Sequence, residues 1–577
     1  MGKKVVIVGA VAAGPKAAVR IKRLDFSAQV TLIDEDSIIS YGGCGIPYYV
    51  SGDVPDEKEL RSTNFHMVRD KDYFERAKGV TTLTRTKALT IDRKNKKVEI
   101  ESLETGARDW LDYDALMLAT GTEPFVLPIP GADLDGVFCA NNIHRAVAIK
   151  ERIAAGKVSS AVVIGGGAIG VEMAEALKDL WGVDTALVEF FDQLLPNLVD
   201  WEMAAILATH LRDNGVAVHL GEPAREIIGE GGTVAGVRTD KRTLAADLVI
   251  MAAGVRPRAE LARAAGLHVS ERGMIVVNDH MQTSDPAIYA AGDCVEITNL
   301  VSGRKFFAPL GSLANKEGRV AGDNIAGIPS TFAGGVGSFI MKAFDMSIGS
   351  AGLTLSAARA AGYDADISLT SPVDRAHFYP IHGIACFLMV FDRRTRKALG
   401  LQGIGPMGDG ILARINGAAP LLCAGATIED FNTIEMAYSP PFSAAIDSVN
   451  AASYVAENLC DNRMRKIDMR EFFEYMKDPT VQPDWMMLDV RHPKESQPCV
   501  DRFGAERWLS LPYDQVRERW RELPTDKTMV VLCNAGTRSY EVQRFLDQVG
   551  GPSAVVLAGG INVVKRIDGD LLPGSAG

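Results

Sequence analysis

The chain is expected to fold as an α/β protein: two Rossmann-like dinucleotide-binding domains, then an α+β region and a short C-terminal α/β unit. Three observations carry that expectation. A strand, glycine-rich turn, helix and second strand follow one another from Lys3 to Asp34. The same unit returns at Ala161 in "AVVIGGGAIGVEMAEALKDLWGVDTALVEF", and such a repeat places two dinucleotide-binding folds in one chain. A further α/β pattern near the C-terminus, "VVLCNAGTRSYEV", carries its own cysteine turn.

The elements follow in order. "KVVIVGA" is a continuous apolar run of the kind a parallel sheet buries. Its turn keeps Gly9 and Gly14 but has Val11 at the middle position. Pro15 suits a first helical turn, and the second strand, "QVTLIDED", ends in Asp34 and Glu35. The opening "MGKKVVIVGAVAAG" has the charge and apolar run of a signal peptide, yet the run is short and Pro15, Lys16 and Arg20 follow at once. It reads as a buried strand entering a turn. No apolar run is long enough to span a bilayer, so a cytoplasmic protein is expected.

"YDALMLATGTEPFVLPIPG" reads as a strand entering a Gly/Pro-rich crossover. In the second turn Gly165 permits the sharp bend, Gly167 lets backbone N–H groups approach a pyrophosphate, and Gly170 lets helix and strand pack closely. Glu189 stands at the end of the next strand. There a carboxylate holds a ribose 2′-hydroxyl and repels a 2′-phosphate, which favours NADH over NADPH. "ADLVIMAAGVRP" and "TSDPAIYAAGDCVE" come next. From about Ser330 the texture becomes antiparallel strands, with helices to about Ser453. The polar stretch "AENLCDNRMRKIDM" reads as a linker.

The 577 residues allow several domains, and 47% hydrophobic with 23% charged residues is ordinary for a globular protein. A net charge of -11 argues against a general nucleic-acid binder. The eight cysteines show no CxxC, so no metal site is expected. Cys44, in "YGGCGIPYY", has no second cysteine close in sequence. If its sulfur partner is not nearby in the chain, a ligand must bring one. Lys16, Arg20 and Arg23 fall at i, i+4 and i+7 on one helix face. Lys16 opposes the helix dipole there, a cost that an anionic ligand offsets. Cys533 follows a buried strand, and Arg538 closes a short loop before a helix. Successive backbone N–H groups there form an anion cradle and lower a thiol pKa.

The order of the first glycine turn, "LATG", the second glycine turn and "YAAGD" resembles the two-dinucleotide-fold flavoprotein disulfide reductases, over about the first 450 residues. The resemblance implies that the first fold holds FAD and the second NAD(P)H, and that Asp293 bonds the flavin ribityl chain. Gly9, Gly14, Asp34, Glu35, Ala119, Thr120, Gly121, Gly165, Gly167, Gly170, Glu189, Gly254, Gly292 and Asp293 are then the cofactor-binding residues. "ISYGGCGIPYY" is similar to the subgroup of coenzyme A-disulfide reductases, NADH-dependent persulfide reductases and single-cysteine NADH oxidases. It implies that Cys44 lies over the flavin and alternates between thiolate and mixed disulfide or sulfenic acid. Lys16, Arg20, Arg23, Ser40 and Gly43 are the implied coenzyme A contacts. The chain departs from the family in having Gly43 where Asn is common and Asn315 where some members have a histidine. "AHFYP" and "MAYSPPF" match segments whose tyrosines, here Tyr379 and Tyr438, reach the partner subunit's cysteine, which implies a homodimer.

The C-terminal pattern resembles a rhodanese domain, with catalytic Cys533 and Arg538 and, upstream in "MMLDVRHP", Asp489 and Arg491. Expected boundaries are 1–112 with 280–328 for the FAD-binding domain, 113–279 for the NAD(P)H-binding domain and 329–455 for an α+β dimerisation domain. A linker at 456–466 and a rhodanese domain at 467–577 follow. The joint reading is an NADH-dependent reductase of persulfide, polysulfide or coenzyme A disulfide. A single-cysteine NADH oxidase or peroxidase stays open, as does a persulfide carrier serving partner proteins.

Overall fold

The computed structural model describes residues 2–573; the outermost ends of the first and last expected domains lie outside them. The chain forms two compact units.

The first unit, Met1–Asp192 with Gly215–Gly335, holds both nucleotide folds. One parallel sheet has the order Ile288–Ala290, Ala115–Leu118, Lys4–Val8, Gln29–Ile33, Thr81–Leu83. The other runs Ala217–His219, Asp184–Val188, Ser160–Ile164, Leu248–Met251, Val137–Phe138. The two are in matching register: Val8 pairs with Ile33, and Ile164 with Val188. Ala115–Leu118 is buried at every position, which suits a central parallel strand.

Helix Ala13–Leu24, after the first glycine turn, packs closely on helix Gly311–Ile325. A Cβ on Gly318 would lie 2.5 Å from the Ala13 carbonyl oxygen, so a glycine is needed there. Arg20 on the first helix is ion-paired to Asp323 on the second.

The domain boundaries differ from the sequence expectation. Ala115–Leu118 pairs with Lys4–Val8 and Ile288–Ala290, so it belongs to the first fold. Ile275 and Val277 share a core with Ile7 and Leu116. A short apolar run carries no mark of which sheet will take it, so the boundary was drawn too early at one end and too late at the other.

The second unit joins Gln193–Asn214 to the chain from Val336 onward. An antiparallel sheet, order Phe339–Ala343, Met346–Gly352, Ala398–Pro406, Cys386–Asp392, Ala365–Thr370, is followed by helices Asp409–Cys423, Ile428–Thr433 and Ser448–Cys460. A parallel sheet then has the order Lys466–Ile467, Ala554–Leu557, Thr528–Leu532, Trp485–Asp489, Trp508–Ser510. Helix Trp201–Asp213, which in sequence interrupts the second nucleotide fold, lies in this unit. Its Thr209 hydroxyl donates to the Ile567 carbonyl at 2.6 Å.

The expected linker is not free chain. Its first residues complete helix Ser448–Cys460, and Leu459 and Met464 are buried. Lys466 Nζ lies 3.0 Å from Asp366 Oδ1 on the antiparallel sheet. Arg463, Arg465 and Lys466 of this stretch are each ion-paired.

Arg414 and Asp447 form a buried pair at 2.8 Å, each 4% exposed. Arg414 also donates to the carbonyls of Gly410 and Asp374. Removing one member strands the other's charge, at a cost of about 3–5 kcal/mol. Arg414→Met is therefore expected to lower the unfolding midpoint of this unit substantially, as thermal denaturation will show.

Candidate active site

Both nucleotide turns are built on the same backbone constraint. Gly9 has φ +105 and Gly165 φ +112, where a side chain is strained. A Cβ on Gly9 would sit 2.0 Å from the Ala119 carbonyl oxygen, and one on Gly165 2.4 Å from that of Ala252. A Cβ on Gly14 would lie 1.9 Å from the Gly9 carbonyl oxygen, and one on Gly170 1.8 Å from that of Gly165. Gly167 differs, since a Cβ there would point into open space. At the corresponding place in the first turn, Val11 is 38% exposed.

Each turn is gripped by the acid at the end of the next strand. Asp34 Oδ2 accepts the Ala10 N–H at 2.6 Å, and Oδ1 accepts that of Asp36 at 2.9 Å. Burial nevertheless pushes the Asp34 carboxyl up. Glu189, 7% exposed, accepts the Gly166 N–H through Oε2 and the Phe191 N–H through Oε1, the latter at 2.8 Å. A carboxylate oxygen has further lone pairs, so both acids remain oriented acceptors for a ribose hydroxyl. Glu35 is exposed, 4.0 Å from Lys87. Thr120 donates to the Arg258 carbonyl at 2.5 Å. Gly121 and Gly254 have positive φ and open space where a Cβ would stand. These cradles, which a single Cβ would fill or jam, fit a dinucleotide in each fold.

Cys44 lies in the short 3-10 turn Gly43–Gly45, immediately before helix Ile46–Ser51. It is exposed. Partial burial pushes its thiol pKa up, with the carboxylates of Glu172 and Asp293 adding to the rise. Glu172, in helix Ala168–Lys178 of the second fold, is itself raised to about 7, by burial first and by Glu175 second. Burial raises Asp293 to about 6. Gly292, at φ +85, donates its N–H to Glu317 Oε2 at 2.7 Å, which fixes the bend that presents Asp293. Glu317 is raised to about 7 by burial. Glu172 and Glu317 were not singled out in the sequence. Both stand among helix residues after a glycine motif, and only the fold brings them to the cysteine turn and the GD turn.

Of the anion-binding face, Lys16 and Arg23 are exposed and make no ion pair among the described residues. Arg20 differs from the sequence expectation: its guanidinium is engaged by Asp323. A helical wheel displays the face but not the carboxylate on a helix 300 residues on. Ser40 is buried at φ 51, a left-handed conformation unusual for a serine, and its N–H donates to the Ala10 carbonyl at 2.7 Å. The cysteine turn is thereby tied to the first glycine turn. Gly43 is exposed, and Asn315 turns its amide back onto the Gly311 carbonyl at 2.8 Å.

In the second unit, Tyr379 and Tyr438 sit on neighbouring loops. The Ala376 N–H donates to the Pro440 carbonyl at 3.3 Å, and Arg375 donates to that of Pro441 at 3.1 Å. Tyr438 is 50% exposed, beside exposed Phe378, Phe442 and Ile446.

Cys533 is 2% exposed at the end of strand Thr528–Leu532. Its Sγ accepts the Gly536 N–H at 3.1 Å. The carbonyls of Cys533 and Asn534 are turned toward helix Gly560–Ile567, accepting the N–H groups of Ile561 and Asn562 at 2.9 Å each. With the carbonyls held on that side, the loop is left with N–H groups to offer an anion. Asp489 and Arg491 form a buried pair at 2.7 Å, with Trp508 Nε1 donating to the same carboxylate at 3.2 Å. Asp489 pairs with Leu532, the residue before Cys533, on the neighbouring strand. Arg538 is half-buried. Among the described residues there is no helix long and apolar enough to cross a membrane and no cluster of three or more potential metal ligands.

Comparison with known proteins matches residues 3–306 to the pyridine nucleotide-disulphide oxidoreductase model and residues 339–449 to that family's dimerisation domain. Residues 451–566 match the rhodanese-like domain. An NADH oxidase of Methanocaldococcus jannaschii is 34% identical over 80% of this chain and 100% of its own length. An NAD(P)H coenzyme A polysulfide/persulfide reductase of Pyrococcus horikoshii is 36% identical over 78% of this chain and 97% of its own. Among solved structures, an NAD-dependent persulfide reductase from A. fulgidus superposes with a TM-score of 0.91 at 37% identity, covering 97% of this chain and 99% of that one.

Two outcomes follow from this geometry. Glu172→Gln removes a negative charge near the Cys44 sulfur, so the thiol pKa is expected to fall. The pH dependence of Cys44 alkylation measures it, and an unchanged profile would deny the coupling. Gly167→Val places its side chain in open space and is expected to keep the unfolding midpoint while raising the KM for the nicotinamide coenzyme.

Proposed function

The chain belongs to the pyridine nucleotide-disulphide oxidoreductase family, with a dimerisation domain and a rhodanese-like domain behind it, and on that premise we propose that it is an FAD-dependent NADH reductase of sulfane sulfur. Its substrates are a persulfide, coenzyme A persulfide first among them, a polysulfide or coenzyme A disulfide. One observation carries the reading: two lone cysteines in opposite settings. Cys44 is exposed in a glycine-flanked turn, and Cys533 is enclosed in a loop whose carbonyls are tied back.

Gly9, Gly14, Asp34, Glu35, Thr120 and Asp293 would hold FAD; Gly165, Gly167, Gly170 and Glu189 would hold the nicotinamide coenzyme. FAD, when bound, supplies two-electron transfer between that coenzyme and the Cys44 sulfur. The Cys44 thiolate attacks the inner sulfur of a persulfide R–S–SH. A Cys44–S–S–R bond forms, the S–S bond of the persulfide breaks, and its electron pair leaves on hydrosulfide. Two electrons originating in NADH and one proton then return Cys44 as thiolate and release R–SH. The sum is R–SSH + NADH + H⁺ → R–SH + H₂S + NAD⁺. Cys533 takes up and carries the outer sulfur of donors that reach the C-terminal domain.

Lys16 and Arg23, exposed and without an ion pair among the described residues, would bind the phosphates of coenzyme A, with Ser40 and Gly43 lining its route to Cys44. Tyr379 and Tyr438 would donate a phenolic hydrogen bond to the partner subunit's sulfur in a homodimer, an arrangement supported by the exposed apolar side chains around them. Eight free cysteines suit the reducing cytoplasm. The rival reading, an NADH oxidase that forms a Cys44 sulfenic acid, draws on the Methanocaldococcus relative and leaves the Cys533 loop without a task.

Anaerobic NADH consumption with polysulfide, coenzyme A persulfide and coenzyme A disulfide, with sulfide measured, separates the two. Turnover with oxygen alone would establish the oxidase. Cys44→Ser is expected to abolish turnover with every sulfur substrate while NADH still bleaches the flavin. NADH is expected to be preferred over NADPH in kcat/KM, and Glu189→Ala to shrink that preference by about tenfold, the effect of one charge-assisted hydrogen bond.

A further inference from the structure

The loop at Cys533 is followed by helix Thr537–Val549, whose third residue is Ser539. Ser539 is 1% exposed, and its hydroxyl has no hydrogen-bond partner among the described residues. An orphaned hydroxyl in a protein interior is costly, and this one is placed where a ligand can answer it. Side chains of a helix tilt toward its N-terminus. The residue at that end is Gly536, left-handed at φ +92, whose N–H already donates to Cys533 Sγ. Ser539 thus leans toward the end of its helix at which the Cys533 loop closes, facing inward and not into solvent.

We propose that Ser539 is a catalytic residue of the sulfur-transfer step, donating its hydroxyl hydrogen to the outer sulfur of the Cys533 persulfide. The proposal rests on Cys533 carrying sulfane sulfur. The Cys533 thiolate attacks the outer sulfur of a donor such as thiosulfate. A Cys533–S–S⁻ bond forms, the S–S bond of the donor breaks, and the electron pair leaves on sulfite; charge is conserved and no other oxidant or reductant enters. The sulfur that arrives extends about 2 Å beyond Sγ. It brings into the loop the acceptor that the resting thiol does not provide, and negative charge on it strengthens the bond.

The test uses the full-length holoenzyme and thiosulfate. Ser539→Ala removes a hydroxyl without a partner, so the resting variant is expected to melt at or above the wild-type temperature. Incubation with thiosulfate is expected to raise the melting temperature of the wild type more than that of the variant. Sulfane sulfur per chain, by cyanolysis, and the rate of sulfite release are expected to be about tenfold lower in the variant, with Ser539→Thr restoring much of the loss. A variant that loads sulfur as the wild type does would overturn the proposal, as would one that melts lower at rest, which marks a structural role. If wild-type Cys533 takes no sulfur from thiosulfate, polysulfide or coenzyme A persulfide, it is the carrier role of Cys533 that fails, and the proposal falls with it.

Discussion

A strand-end carboxylate holding the backbone N–H of the neighbouring glycine turn is the interaction around which both nucleotide folds are organised. Asp34 grips Ala10, and Glu189 grips Gly166. The turns they hold are sterically unforgiving, since a Cβ on the outer glycines would collide with backbone oxygens. Once the turn is clamped, the helix behind it starts at a fixed point, and its free N–H groups present a place for a diphosphate. In the first fold the clamp reaches further. The Ala10 carbonyl also receives the Ser40 N–H, so the turn that shapes the first dinucleotide cradle also anchors the segment leading to Cys44.

Cys44 and Cys533 stand in opposite electrostatic surroundings. Around Cys44 stand carboxylates, Glu172 and Asp293, whose own pKa values burial has raised. Burial and these carboxylates together disfavour a thiolate there. Around Cys533 the surroundings are backbone: one N–H on the sulfur and two carbonyls tied away to helix Gly560–Ile567. Such a loop holds an anion by geometry, with no charged side chain needed at the sulfur.

The C-terminal domain is joined to the sheet before it by more than the chain. Ser371 donates to the Gly559 carbonyl at 2.7 Å, and Asn562 donates to the Ser371 carbonyl at 3.3 Å. Gly559 and Gly560 are both left-handed. A Cβ on Gly559 would lie 2.9 Å from Leu369 of the antiparallel sheet, and one on Gly560 2.7 Å from the Cys533 carbonyl oxygen. Two consecutive glycines thus let the helix that ties back the Cys533 carbonyls be wedged against the dimerisation domain. Lys466, between Asp366 and Asp468, closes the same seam.

The sequence by itself determined the local devices. Glycine spacing, the acids after the strands and the two cysteine turns are short-range patterns, readable because steric and hydrogen-bonding demands act within a few residues of each other. The class of fold and the family followed from their order. What lay beyond reach was set by contacts between distant segments. Tertiary structure gave Arg20 to Asp323 and took it from the free cation face. It made the expected linker a helix end and an ion-pair seam, and it moved strand Ala115–Leu118 into the first sheet. It also brought Glu172 to Cys44 and buried the Ser539 hydroxyl without a partner among the described residues. Burial and charge at such positions depend on which surfaces meet, and a single sequence has no periodicity that encodes a meeting across hundreds of residues.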